Sequence, residues 1–253
     1  MAFRTVTSTT ELEALSPDEF LARLRRVGEE RYHHVHPFHQ MMHDGALTRG
    51  QLQAWVLNRY FYQSRIPIKD AIILSRSDGS DFRRVWRKRI VDHDGDSMQP
   101  GGIERWLRLA EATGLNREAV TTCHGVLPAT RYAVDAYIRL VTNRSFLEAV
   151  ASSLTELLSH DLIALRIDRL SEHYPWLADG LAYFIARLDQ APEDARFALQ
   201  WVINTATTRA EQEAAIAALQ AKCDILWAQL DALFFAYVQP GWPPPGAFRL
   251  PES

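Results

Sequence analysis

Cysteine is scarce. The chain has 253 residues and two cysteines, Cys123 and Cys223. They are too few and too far apart for a disulfide framework, a zinc site or a redox pair. Such sparse thiols suit a reducing cytosol. Positive charge is not in excess either: Lys and Arg number 28, Asp and Glu 31, and the net charge is -3. That balance argues against nucleic acid and an anionic membrane surface as partners. No apolar run is long enough to span a bilayer, and the opening M-A-F-R-T-V-T-S-T-T carries no apolar signal core, so a cytoplasmic protein is expected. There is no glycine-rich phosphate loop, no G-x-S-x-G elbow, no 20–50-residue repeat and no strand-like alternation, which sets aside the nucleotide-binding, hydrolase, solenoid and β classes.

What is present is a 47% hydrophobic chain with helical period almost throughout. The expected fold is all-α, a compact helical bundle in a single domain over 1–253. Residues 1–15 form a loose lead-in, and the Pro-rich stretch 238–253 forms a tail on the surface. Ser16-Pro17-Asp18-Glu19 spells a capped helix start, and Phe20, Leu21, Leu24 and Val27 carry the period to about Tyr32. A histidine-rich run follows (His33, His34, His36, His39 and His43), with a short helix or loop between Pro37 and Gly45. A capping box at Thr48–Gln51 opens the next helix, which Pro67 bends or breaks. Residues 81–92 form a basic amphipathic helix ending at His93. Further helices are expected over 103–114, 116–122, 128–141, 145–159 and 161–170, around Tyr183 and Arg187, over 193–209, and from Thr208 to Tyr237.

Inside these helical segments stand polar residues that an apolar core does not need: Arg59, Gln63, Lys69, Arg89, His93, Glu156, Arg166, Arg187 and Lys222, with Tyr32, Tyr62, Tyr137 and Tyr183. Arg59, Tyr62 and Gln63 share one helix face by their i, i+3, i+4 spacing. If these groups share one cavity, it is cationic, and buried cations require an anion or enclosed acids. A polycarboxylate fits, because arginine grips carboxylates through paired hydrogen bonds. His93 is the group able to exchange protons near neutral pH. The other reading is that Arg59 and Lys69 simply reach water from an amphipathic helix. Glu156 and His160, one turn apart, resemble half of an iron site to which His93 with Asp92, or His33, could add ligands. No second E-x-x-H completes it.

The runs N-R-Y-F-Y-Q-S-R-I-P-I-K-D (58–70), R-I-V-D-H-D-G (89–95), G-G-I-E-R-W-L-R-L (101–109), R-Y-A-V-D-A-Y (131–137), S-S-L-T-E-L (152–157), H-Y-P-W (173–176) and K-C-D-I-L-W (222–227) resemble the pyrroloquinoline-quinone synthase family, in the same order and over nearly the whole chain. The resemblance implies a haem-oxygenase-like helical fold and a homodimer. It implies ring closure and eight-electron oxidation of a tricarboxylic quinoline precursor by molecular oxygen, with hydrogen peroxide released. It implies neither metal nor organic cofactor.

By the same resemblance His93 is the general base near the oxygen site, and Tyr183 and Arg187 line that site. Tyr32, His33, Arg59, Tyr62, Gln63, Lys69, Arg89, Tyr137, Glu156, Arg166 and Lys222 hold the anionic substrate. Three departures stand out. Ile163 occupies the position of an oxygen-site histidine, Val35 replaces another histidine, and one residue is missing between Pro175 and Tyr183. These leave open a diverged di-iron oxidase, or a carrier that binds the quinone or its precursor without turnover.

Overall fold

The computed structural model describes residues 12–251, and the side chains of His160, Ala191 and Pro192 lie outside the described set. The α-helices are α1 (Pro17–Arg31), α2 (Pro37–His43), α3 (Arg49–Gln63), α4 (Ile66–Ser75), α5 (Ser80–Asp94), α6 (Gly102–Thr113), α7 (Arg117–Thr121), α8 (Pro128–Asn143), α9 (Phe146–Ala151), α10 (His160–His173), α11 (Ala182–Thr205) and α12 (Arg209–Tyr237). Short 3-10 helices cover His33–Val35, Ser152–Leu158 and Pro175–Gly180. Among the described residues there is no strand, only an isolated bridge between Gly95 and Pro100.

Local signals account for most helix starts. Ser16 with Glu19, Thr48 with Gln51, Ser145 with Glu148 and Thr208 with Glu211 all form reciprocal capping boxes. Each box satisfies two backbone donors that the first turn leaves free. Asn116 caps α7 by accepting from the Ala119 N–H.

α12 forms the spine of the core. Its buried face (Ala215, Ile216, Leu219, Cys223, Leu226, Leu230 and Leu233) packs against α1, α8, α9 and the Ser152–Leu158 segment. α3 is buried along nearly its whole length. Each large apolar side chain buried this way contributes about 1.5–3 kcal/mol. No helix among the described residues is long and apolar enough to cross a membrane.

Leu15, at the end of the expected lead-in, and the tail are held by specific hydrogen bonds. Residues 1–11 of the expected lead-in lie outside the described residues. Leu15, however, donates its N–H to Gln212 Oε1 (2.8 Å) and accepts from Gln212 Nε2 (3.0 Å). In the tail the Phe248 N–H donates to the Gly125 carbonyl (2.8 Å), and the Tyr237 hydroxyl donates to the Phe248 carbonyl (3.1 Å).

Three elements differ from the sequence reading. The helix expected to bend or break at Pro67 does break, but a few residues earlier: it ends at Gln63, and a new helix starts at Ile66 with Pro67 in its first turn. There the missing N–H costs no hydrogen bond. The helix expected over 145–159 is α-helical only to Ala151 and then tightens to 3-10. Its serines and threonine offer the backbone local partners: Ser152 Oγ donates to the Ala149 carbonyl at 2.7 Å. Finally, one continuous helix, α11, runs from Ala182 to Thr205 where two stretches were expected.

Candidate active site

Helices from every part of the chain converge on a cavity of about 100 Å³. α3 supplies Arg59, Tyr62 and Gln63; α4 supplies Ile66 and Lys69; α5 supplies His93; α8 supplies Tyr137. Ser153, Thr155 and Glu156 come from the 3-10 segment, and Leu162, Ile163 and Arg166 from α10. Tyr183, Phe184 and Arg187 come from α11, and Tyr32 and His33 from the turn after α1. The break at Ser64–Arg65 is what lets both Gln63 and Lys69 face one space. Every residue singled out in the sequence lines this cavity except Arg89 and Lys222, which stand one layer behind it. Arg89 pairs with Glu156, and Lys222 Nζ donates to the Tyr62 hydroxyl at 2.7 Å.

The cations divide into two groups. On one side each has a carboxylate. Lys69 Nζ is 2.6 Å from Asp70 Oδ1, and Arg89 pairs with Glu156 and stands 4.0 Å from Asp70. Arg187 lies 3.7 Å from Glu156 and 3.5 Å from Asp194. The second group is Arg59, Arg166 and Lys222. Among the described residues none of these three forms an ion pair. Arg59 lies over the Tyr62 ring (4.1 Å), and Lys222 over the Tyr137 ring (3.6 Å).

Arg166 is 7% exposed. Its Nη2 lies 3.4 Å from His39 Nδ1, but that nitrogen is 3.0 Å from the His33 carbonyl. The carbonyl can only accept, so the His39 proton sits on Nδ1 and offers Arg166 no lone pair. Arg166 Nε has no partner at all. Burial pulls Arg166 down to about 10, against support from Tyr32. Burial, then Arg59 and Lys69, push Lys222 well below the ordinary lysine value. Buried cations without counter-charge are costly unless an anion meets them.

His93 is 4% exposed and donates Nδ1–H to the Arg89 carbonyl at 2.9 Å. This leaves the lone pair on Nε2, the tautomer of a general base. Burial first, and then Arg187, bring its pKa down to about 4, so it is neutral at pH 7. His33 and His39 are held well below the usual histidine value by burial, with Arg59 and Arg166 adding to it. Burial raises Tyr32 to about 12 and Tyr62 higher still, so both phenols keep their protons and serve as donors.

Glu156 is occupied by Arg89 and Arg187, which a metal-binding role would require it to release. The side chain of its proposed partner, His160, lies outside the described residues. Ile163 lines the cavity and is 9% exposed.

Sequence reasoning passed over Asp70, Trp106, Phe184, Leu162, Leu226 and the hydroxyls of Ser153, Thr155 and Ser159. The apolar ones read as ordinary core. The hydroxyls were hidden by reading 145–159 as one regular helix, although S-S-L-T-E-L-L-S is itself unusually rich in small hydroxyls.

Fold and site together define a class: a helical bundle of haem-oxygenase type whose interior cavity is lined by cationic side chains and a buried, neutral imidazole, His93. A domain from Shewanella denitrificans OS217, described as having a heme oxygenase-like fold, superimposes with a TM-score of 0.74 at 14% identity, covering 93% of this chain and 99% of that one. A TenA homolog from Pseudomonas syringae pv. tomato DC3000 gives 0.69 at 12%, covering 88% and 98%. The chain belongs to the TENA/THI-4/PQQC family, which matches it over residues 21–232. It is 57% identical over 235 residues to a protein of Acidiphilium cryptum named pyrroloquinoline-quinone synthase (92% of this chain, 96% of that one). A protein of the same name from Granulibacter bethesdensis is 55% identical over 239 residues (94% and 93%).

Proposed function

We propose that this chain catalyses the final step of pyrroloquinoline-quinone biosynthesis. A reduced tricarboxylic quinoline precursor undergoes ring closure and eight-electron oxidation by molecular oxygen, and hydrogen peroxide is released. The observation that carries this reading is the buried, unpaired guanidinium of Arg166, sharing the cavity with Arg59 and with neutral His93. The carboxylates would meet the cavity-lining Arg59, Arg166 and Lys69, with Lys222 adding charge from behind Tyr62, and His93 Nε2 would take a ring proton. Cations and phenol donors would stabilise the developing enolate, and the electron-rich ring would pass its electrons to oxygen. The space of about 100 Å³ is small beside the roughly 300–1,000 Å³ of ordinary ligand pockets, so substrate entry widens it.

In this reading the protein uses neither metal nor organic cofactor and works as a homodimer in the cytoplasm. The two unpaired, buried thiols of Cys123 and Cys223 support a reducing compartment. The homodimer rests on family likeness, and light scattering that returns a single subunit would remove it.

The test is to mix protein and precursor without air and then admit oxygen. The expected outcome is the spectrum of the oxidised quinone together with peroxide. Tight binding with no spectral change would instead mark a carrier, the reading that Ile163 motivates. Stoichiometric iron after aerobic purification would mark a di-iron oxidase. Within the leading reading, His93→Ala should retain quinone binding and lower turnover about 10²–10⁴-fold; turnover at the wild-type rate would remove His93 from the chemistry.

A further inference from the structure

Asp70 is 1% exposed and lies outside the cavity lining, directly behind it. Its Oδ1 accepts from Lys69 Nζ at 2.6 Å, and Arg89 Nε stands 4.0 Å from the same oxygen. Its Oδ2 is buried with no hydrogen-bond partner. Lys69 and Asp70 are consecutive on α4, so their side chains leave the helix about 100° apart. The long lysine side chain nevertheless brings its ammonium to Oδ1, where Nζ stands 5.7 Å from the Trp86 ring centre and 5.8 Å from that of Tyr137. On its other side Lys69 Nζ donates to Ser153 Oγ at 3.2 Å. Lys69 and Ser153 both line the cavity. The lysine head is therefore fixed between a carboxylate behind and a hydroxyl in front. The charge of Asp70 also reaches His93, where it acts against Arg187 and Lys69.

We infer that Asp70 is a positioning residue for anion recognition, holding the Lys69 ammonium at the cavity wall where a carboxylate of the ligand will meet it. This deepens the quinone-synthase reading and takes its ligand from it. A buried ion pair that merely joined α4 to α5 would stabilise the fold without any dependence of binding on Lys69. In the positioning role, Asp70 affects the ligand only through Lys69.

The experiment compares wild type, Asp70→Asn, Asp70→Glu, Lys69→Met and the Lys69→Met/Asp70→Asn double variant. Pyrroloquinoline quinone is the probe, titrated by absorbance, and a ligand-free crystal structure of Asp70→Asn is determined alongside. Asp70→Asn should weaken quinone binding about tenfold or more, and Asp70→Glu should recover most of that loss. In the Lys69→Met background Asp70→Asn should add nothing. In the crystal structure Lys69 Nζ should leave Ser153 Oγ. Unchanged affinity in Asp70→Asn, an equal further loss in the Lys69→Met background, or a lysine that stays on Ser153 would each overturn the proposal. If wild type binds no quinone, the functional reading fails while the crystal structure still decides the positioning role. If Asp70→Asn does not fold, Asp70→Ser, which leaves room for water, takes its place with the same expectations.

Discussion

Arg166 lost its water on folding and gained no carboxylate in exchange, only the Trp55 and Phe184 rings at 5.9 and 5.8 Å. Replacing even paired buried charges by apolar side chains of similar volume is often neutral or stabilising by about 1–4 kcal/mol, and an unpaired buried charge costs more to hold. Arg166→Met should therefore raise the unfolding midpoint, by about 2–4 °C for each kcal/mol in a chain of this size. It should also weaken quinone binding by about 2 kcal/mol or more. A lower midpoint with unchanged affinity would make Arg166 a structural residue. Ile163 sits one turn before Arg166 on the same wall. Ile163→His should leave quinone formation equal or faster, and a large loss would mean that the isoleucine has a positive role there. Arg59, Arg166 and Arg187 were legible in the sequence because charge inside an apolar period is conspicuous. Asp70 was not, because a Lys-Asp dipeptide spells solvent until a neighbouring helix covers it. Arg89 and Lys222 were legible as buried cations, but which side of the cavity wall they occupy depends on Glu156 and Tyr62, residues distant in sequence.

At the scale of elements, what a few neighbouring residues decide could be read, and what tertiary partners decide could not. The capping boxes at Ser16, Thr48 and Thr208 are complete within four residues, and each begins a helix where expected. The passage from α-helix to 3-10 at Ser152 joins a local partner, the Ala149 carbonyl that Ser152 bonds, to partners elsewhere in the chain: Lys69 holds Ser153, and Arg89 and Arg187 hold Glu156. The loop between α5 and α6 lies between these cases. Its glycines mark a turn, but the need for Gly101 comes from packing. A Cβ there would lie 2.3 Å from the Gly95 nitrogen and 2.3 Å from the His93 carbonyl oxygen, both backbone atoms that cannot swing aside. Gly101→Ala should destabilise the protein by about 1–3 kcal/mol, measured by denaturant unfolding. Because the strain falls on the end of α5, it should lower turnover more than quinone affinity. A stable variant with full activity would show that the turn can relax without moving His93.

For the whole molecule, four of the five buried histidines among the described residues, all but the Asp231-paired His36, tie stability to pH most strongly. Burial lowers His43 and His93 to about 4, and holds His33 and His39 well below the usual value. In the unfolded chain each takes up a proton near 6.5. Between those limits the unfolded state binds more protons than the folded one, so stability is full above about pH 6.5 and falls as the medium becomes more acidic. Each histidine contributes a slope of up to about 1.4 kcal/mol per pH unit. Four together approach the whole of an ordinary stability of about 5–15 kcal/mol within two to three units. The surface carboxylates Glu104, Glu111 and Glu213, held low by arginine partners, lose their contribution only below about 4.5, so the two windows separate. We therefore expect the unfolding midpoint to drop steeply from pH 6.5 to 5. His43→Gln, a change at the edge of the cluster, should make that decline shallower by about one proton. Quinone should raise the midpoint throughout, by about 2.7 kcal/mol of stability at a hundred times its dissociation constant. A midpoint that stays flat between pH 7 and 5 would mean that these imidazoles are not held neutral, and with them would fall the neutral His93 on which proton removal depends.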